Sequence, residues 1–228
     1  MGVPVAIKDI IAVDGMPTHA GSNLDIADLI GPEGSFVGSL RRAGCVILGK
    51  TRTVEFALGA TGIGTSRGTP WNPWDASVRR ITGGSSSGSG VATAAGLCAF
   101  SIGSDTGGSV RLPATFCGIF GLKTTVGLWP TDGVFQLSGD LDTLGPLTQS
   151  AADAAIVFAA LCNQLVPQPR PLKGMRLGRP VNYFFDKLEK QVADCVDAAL
   201  GALIEAGAEI VPIEVPEAPE REKYFPVA

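Results

Sequence analysis

The chain has 228 residues, of which 45% are hydrophobic and 18% charged, so there is enough apolar material for a sizeable core. Its formal net charge is -4, and no basic run exceeds the pairs Arg41-Arg42 and Arg79-Arg80, which argues against a nucleic-acid partner. Five cysteines without a close pair and a single histidine leave little for a zinc site, and no metal or other cofactor is expected.

In chain order, Val3 to Ile7 reads as a short apolar strand, and Ala12-Val13 suggests a second, ended by the turn pair Asp14-Gly15. Pro32-Glu33 opens a helix with Phe36, Val37 and Leu40 on its apolar face, and Gly44 stops it. Cys45 to Leu48 is a buried strand. Residues 69–74 form an irregular aromatic loop. Small residues from Ser89 to Leu97 favour a packed helix, followed by a strand from Cys98 to Ile102. Ala151 to Cys162 is a further apolar helix, and Met175 to Leu177 begins another strand. Lys187 to Ala206 is amphipathic, with Leu188, Val192, Val196, Ala199, Leu203 and Ile204 on one stripe. Gly207 caps it, and Glu209-Ile210-Val211 returns as a strand. Strands alternating with helices define an α/β layered domain. Lys8 and Asp9 lie within the first ten residues, which argues against a secretory leader. The longest apolar stretch, residues 91–103, is interrupted and too short to span a bilayer. With thiols expected to be reduced, the expectation is a cytoplasmic chain with no membrane partner.

Residues 44–51, GCVILGKT, match the phosphate-loop pattern GxxxxGK[ST] letter for letter. That pattern works only when a strand precedes an open loop of amides. Here a helix precedes Gly44 and the four middle positions are an apolar strand, so the nucleotide-binding reading is refused.

Residues 83–90, GGSSSGSG, read three ways: a flexible linker, an amide cradle for an anion, or hydroxyls pinned by glycines in a catalytic turn. Residues 104–111, SDTGGSVR, follow a buried strand directly, which places Ser109 on a tight turn at the end of a sheet element. Gly107 and Gly108 allow successive N–H groups to face one concavity, as an oxyanion hole requires. A serine nucleophile needs a base. His19 lies in a polar stretch without an obvious serine partner and reads as an exposed loop residue. Lys8 ends an apolar strand, where burial would lower its pKa from about 10.4 toward a useful range. The competing reading of Lys8 is a structural ion pair with Asp9.

Three segments taken together, GVPVAIKD at 2–9, GGSSSGSG at 83–90 and SDTGGSVRLPA at 104–114, resemble the amidase signature family. Similar support runs through 43–51, 116–123 and 141–146. The likeness is good over residues 2–161 and looser over 174–212, within a single domain spanning 1–228. The resemblance implies an α/β fold with a mixed, twisted sheet covered by helices. It also implies that part of the family's C-terminal half is absent.

By the same resemblance, Lys8, Ser85 and Ser109 form a Ser–Ser–Lys triad: Ser109 is the nucleophile, Ser85 the bridging serine and Lys8 the base. The Gly84–Ser85 peptide is expected to be cis. Backbone amides of Thr106, Gly107, Gly108 and Ser109 correspond to the oxyanion hole, Ser86 supports the network, and Asp105 and Arg111 brace the loop. Ser87 and Leu128 depart from the commoner Gly and Arg. The implied reaction is hydrolysis of a small-molecule amide. The alternative is a shortened, partner-dependent module such as an amidotransferase-type subunit. The shortened length favours self-association or a partner chain.

Overall fold

A computed structural model describes residues 2–220 and divides the chain into two compact units, Met1–Pro167 and Gln168–Ala228. In the first unit, five strands form one mixed sheet in the order β2-β1-β3-β5-β4. These are β1 (Val3–Lys8), β2 (Cys45–Thr51), β3 (Phe100–Asp105), β4 (Phe120–Gly121) and β5 (Thr143–Thr148). Strand β1 pairs in parallel with β2 and β3, whereas β5 runs antiparallel to β3 and β4.

The alternation along β1 decides what each face of the sheet carries. Val5 and Ile7 enter the main core with Phe36, Val37, Leu40, Ile102 and Leu144. Ala6 points the other way and packs with Ala92 and Cys98, and Lys8, two residues on, shares that face. The main core is closed by α1 (Ser35–Arg42) and by α4 (Ala151–Leu161), whose Phe158 lies 6.2 Å from the Trp129 ring. Trp129 in turn sits 5.2 Å from the ring of Phe36.

The opposite face takes α2 (Ser87–Ala94), a helix of small residues that is almost wholly buried. Its smallness is required by its depth. A Cβ added to Gly88 would meet the Arg52 backbone nitrogen at 2.5 Å. Hydroxyls lock it to the sheet: Ser89 Oγ donates to the Ile102 carbonyl (3.2 Å), and Ser101 Oγ returns to the Ser89 carbonyl (2.9 Å). A short α3 (Arg111–Phe116) follows the loop after β3.

Several expectations need correction. Helix α1 starts at Ser35, after Gly34, because a distant carboxylate caps it: Asp132 accepts from the Ser35 N–H (2.7 Å) and Oγ (2.7 Å). Glu33 lies outside the helix and pairs with Arg41 at 2.9 Å. Ala12-Val13 forms no strand of its own. Only isolated bridges join Ile11 to Val134 and Val13 to Met16 around the Asp14-Gly15 turn. Strand β3 begins two residues later than expected and runs on to Asp105. The x positions of the phosphate-loop pattern are extended strand in β2, and the Lys50 ammonium lies 3.1 Å from Asp9 Oδ1, so the refusal holds on geometry.

The second unit is a β-α-β arrangement. Strands β6 (Arg176–Pro180) and β7 (Glu209–Ile213) pair in parallel, with α5 (Lys190–Glu205) between them. Gly207, at φ 96°, ends α5 as expected. The helix half-buries Val196, Leu200 and Leu203, whereas Val192 and Ile204 from the expected stripe are exposed at 48% and 55%. The true face steps by four and then three residues, and a stripe drawn through Val192 and Ile204 is rotated away from it. Among the described residues, no helix is long and apolar enough to cross a membrane.

Candidate active site

Lys8, Ser85 and Ser86 have no measurable exposure, and they lie where β1 ends beside the turn that opens α2. Lys8 Nζ donates to Ser85 Oγ at 2.7 Å and to Ser104 Oγ at 2.8 Å. The ion pair with Asp9 does not form. Asp9 instead faces Lys50 and His19, the latter with Nδ1 3.6 Å from Asp9 Oδ2. Burial is the main influence on Lys8 and lowers its pKa to about 7, against the opposing pull of the Asp105 and Asp142 carboxylates.

The 83–86 turn is held on every side. The Gly84–Ser85 peptide is cis. The Ser85 carbonyl accepts from the Val54 N–H (3.2 Å) and Thr53 Oγ1 (3.0 Å), and the Gly84 N–H donates to the Ala60 carbonyl (2.7 Å). Ser86 Oγ bridges both ways to β3, donating to the Ser104 carbonyl and accepting from its N–H, each at 3.2 Å. A Cβ on Gly84 would come within 2.8 Å of the backbone of Gly59 and Gly62, so only glycine fits there. The linker reading of GGSSSGSG is therefore excluded.

Ser109 is half-buried, and its carbonyl accepts from the Ser86 N–H at 3.3 Å. This main-chain contact ties the two serine segments together. Among the described residues, no hydrogen bond joins Ser109 Oγ to Ser85 Oγ; such contacts in unliganded sites often tighten only with substrate present.

The loop carrying Ser109 is wound round a fully buried carboxylate. Asp105 accepts from the N–H groups of Gly108 (2.8 Å), Val110 (3.1 Å) and Arg111 (3.3 Å), and from the Arg111 guanidinium at 2.9 and 3.0 Å. Burial opposes its ionisation, but Arg111 and these amides hold its pKa below the ordinary carboxylate value. Arg111 and Asp105 thus contact each other and the main chain of the 108–111 segment. The Gly108 amide, expected at the oxyanion hole, is committed to Asp105. The amides of Thr106, Gly107 and Ser109 make no hydrogen bond among the described residues.

Two residues were missed in the sequence. Ser104 is a direct Lys8 partner, yet a serine near the end of a strand carries no signal of where it points. Asp142 accepts from Thr106 Oγ1 and from the N–H groups of Leu137 (2.8 Å) and Ser138 (3.0 Å), so it fixes the first residue of the loop as well as acting on Lys8. Its place beside Thr143, whose Oγ1 donates to the Asp105 carbonyl at 2.8 Å, marks β5 as part of the site.

A lysine of lowered pKa thus lies beside a buried serine, next to a loop whose Thr106, Gly107 and Ser109 amides are unpaired among the described residues. The chain matches the Amidase family model over residues 1–228 and belongs to that family. It is 43% identical to 2-amino-5-chloromuconic acid deaminase of Comamonas testosteroni, over 99% of this chain and 50% of that protein. It is 39% identical to a glutamyl-tRNA(Gln) amidotransferase subunit of Syntrophobacter fumaroxidans, over 94% of this chain and 47% of that protein. Among solved structures it resembles the peptide amidase of Stenotrophomonas maltophilia with a TM-score of 0.83 and 33% identity, covering 97% of this chain and 49% of that one. The chain therefore spans about half the length of these relatives.

Proposed function

We propose that this chain carries the catalytic residues of an amide hydrolase, with Ser109 as nucleophile, Ser85 as proton relay and Lys8 as base. The observation that carries the reading is the buried Lys8 ammonium, at 2.7 Å from Ser85 Oγ and with its pKa lowered to about 7. A lysine at that value is substantially neutral near pH 7 and so able to accept a proton.

In this reading Ser109 Oγ attacks the amide carbonyl carbon. Its proton passes to Ser85 Oγ, whose own proton passes to Lys8 Nζ. The carbonyl π electrons move to oxygen, and the resulting oxyanion is met by the amides of Thr106, Gly107 and Ser109. As the tetrahedral species collapses, the C–N bond breaks, and the leaving amine takes a proton back from Lys8 through Ser85. Water then attacks the acyl-enzyme ester by the same relay and releases Ser109. Asp105, Arg111 and Asp142 hold the loop; Ser86 and Ser104 hold the relay. The test is a panel of primary amides with ammonia release as readout, where Ser109→Ala abolishes all release. Ammonia release that survives in Ser109→Ala would sink the assignment.

A second reading follows from the similarity to an amidotransferase component: the same triad acting only with a partner chain. It predicts that ammonia release by the isolated chain is weak and rises when a partner is supplied. Self-association detected by light scattering would favour a second copy as that partner. In both readings the substrate is a small amide and the chemistry needs no cofactor.

A further inference from the structure

At the Lys8 end of β1 lies a cleft of about 350 Å³ that the mechanism above does not use and whose lining includes none of Lys8, Ser85 and Ser109. It is lined by Asp9, His19, Lys50, Thr51, Arg52 and Arg67, with Met16 and Pro17 as its apolar wall. Asp9 follows the last residue of β1, and Thr51, the last residue of β2, is the register partner of Lys8. The cleft therefore sits at the carboxyl ends of two parallel strands, the position where open α/β sheets take their ligands.

Its charges do not balance internally. Asp9 is the one carboxylate in the lining, and it is already matched by Lys50, whose ammonium lies 3.1 Å from Oδ1 and also donates to Thr18 Oγ1 at 2.7 Å. The other Asp9 oxygen takes the His19 N–H at 3.3 Å. Arg52 and Arg67 remain, and neither has an acidic partner among the described residues. Both are placed. Arg67 donates through Nε to the Ser22 carbonyl, which leaves its terminal nitrogens available. The Arg52 Nη1 lies against Gly68, where an added Cβ would collide with it, so the 67–68 turn brings the two arginines to one wall. Two guanidinium groups facing one concave space repel each other unless an anion lies between them, and their planar forks match a carboxylate.

We propose that this cleft binds the carboxylate of a small organic acid through Arg52 and Arg67. Combined with the amidase reading, on which this part rests, the substrate class becomes an amide that carries a free carboxylate. The anion site itself does not depend on catalysis, and its test does not use turnover.

The probe is succinate, titrated by calorimetry into the 228-residue chain at low salt, with neutral succinamide and inorganic phosphate as parallel arms. Succinate is expected to saturate a single site. Arg52→Gln and Arg67→Gln, both exposed positions, are each expected to weaken it about tenfold or more, as the loss of a charged hydrogen bond does. Circular dichroism melts confirm that each variant is folded. Two independent variants keep the test open should one of them fail to fold. Succinamide binding as tightly as succinate would overturn the proposal, as would an unchanged affinity in both arginine variants or no saturation at all. Phosphate binding more tightly than succinate through the same arginines would also overturn it, by replacing the carboxylate class with a phosphate one. Succinate binding by a chain that releases no ammonia from any member of the primary-amide panel would leave the anion site standing and count against the amidase reading alone.

Discussion

Replacing Lys8 by methionine removes the ammonium but keeps an unbranched chain of similar length in the same buried space. Burial lowers Lys8 from 10.5 to about 7 in the folded protein, while unfolding returns it to its ordinary value. Between those two values the unfolded chain binds a proton that the folded chain lacks, so stability rises with pH across that window. The sign is that of a depressed lysine: the penalty is full below about 7, on the order of 5 kcal/mol at 1.36 kcal/mol per pKa unit, and vanishes above about 10.5. From pH 7.5 to 9.5 the wild-type chain should therefore gain roughly 2–3 kcal/mol relative to Lys8→Met. Methionine also leaves Ser85 and Ser104 without the lysine donor, a loss of about 1–3 kcal/mol for each group that does not change over this range. The offset between the two proteins mixes both effects, but the slope isolates the titration. Urea unfolding followed by far-ultraviolet circular dichroism at the two pH values measures it. Parallel pH dependence in the two proteins would refute a buried lysine of lowered pKa.

If neutral Lys8 is the base, the rate of serine labelling by a fluorophosphonate should rise through a midpoint of about 7 and then level off. Asp142→Asn removes a charge that raises the Lys8 pKa, so the midpoint should move downward; an unchanged or higher midpoint contradicts the electrostatic account. Gly84→Ala places a Cβ 2.8 Å from two backbone atoms and should destabilise the chain by about 1–3 kcal/mol, while Gly49→Ala, with open space around it, should melt near wild type. Equal melting of the two variants would show that the turn is looser than its contacts require. Lys50→Ala should leave calorimetric titrations with ATP and Mg²⁺ flat, as they are expected to be for wild type, because the Lys50 partners are Asp9 and Thr18; tight ATP binding by wild type would overturn the refusal of a phosphate loop.

The parts legible in the sequence are those whose cause is local. The alternation of β1, the glycine stops at Gly44 and Gly207 and the small-residue helix after the serine turn all follow from neighbours within a few positions. Strand β5 is not legible in the sequence because TLGPLT carries a glycine and a proline inside it, which argues against a central strand, although every residue of it is buried. Its place is secured by pairing with β3 and β4, contacts that no window of sequence contains. The start of α1 is hidden for the same reason, its cap being the distant Asp132. At the site, Lys8 could be suspected from its position at the end of an apolar strand. That it does not pair with Asp9 required the fold, because only the fold brings Ser85 and Ser104 to the lysine. The commitment of the Gly108 amide to Asp105 is likewise a matter of hydrogen-bond direction, which glycine spacing does not encode.

The central claim is that Ser109 is a nucleophile activated through Ser85 by Lys8, and covalent labelling tests it without knowledge of the substrate. The chain is incubated with a fluorophosphonate at about pH 8, above the Lys8 midpoint, and the modified peptide is mapped by mass spectrometry. A single adduct on Ser109 is predicted, absent in Ser109→Ala. Its formation should slow by about 10²–10⁴ in Lys8→Ala and in Ser85→Ala, and by little more in the double variant, because residues acting as one unit are not additive. An adduct on another serine, or labelling of Ser109 at the wild-type rate in Lys8→Ala, would contradict the account.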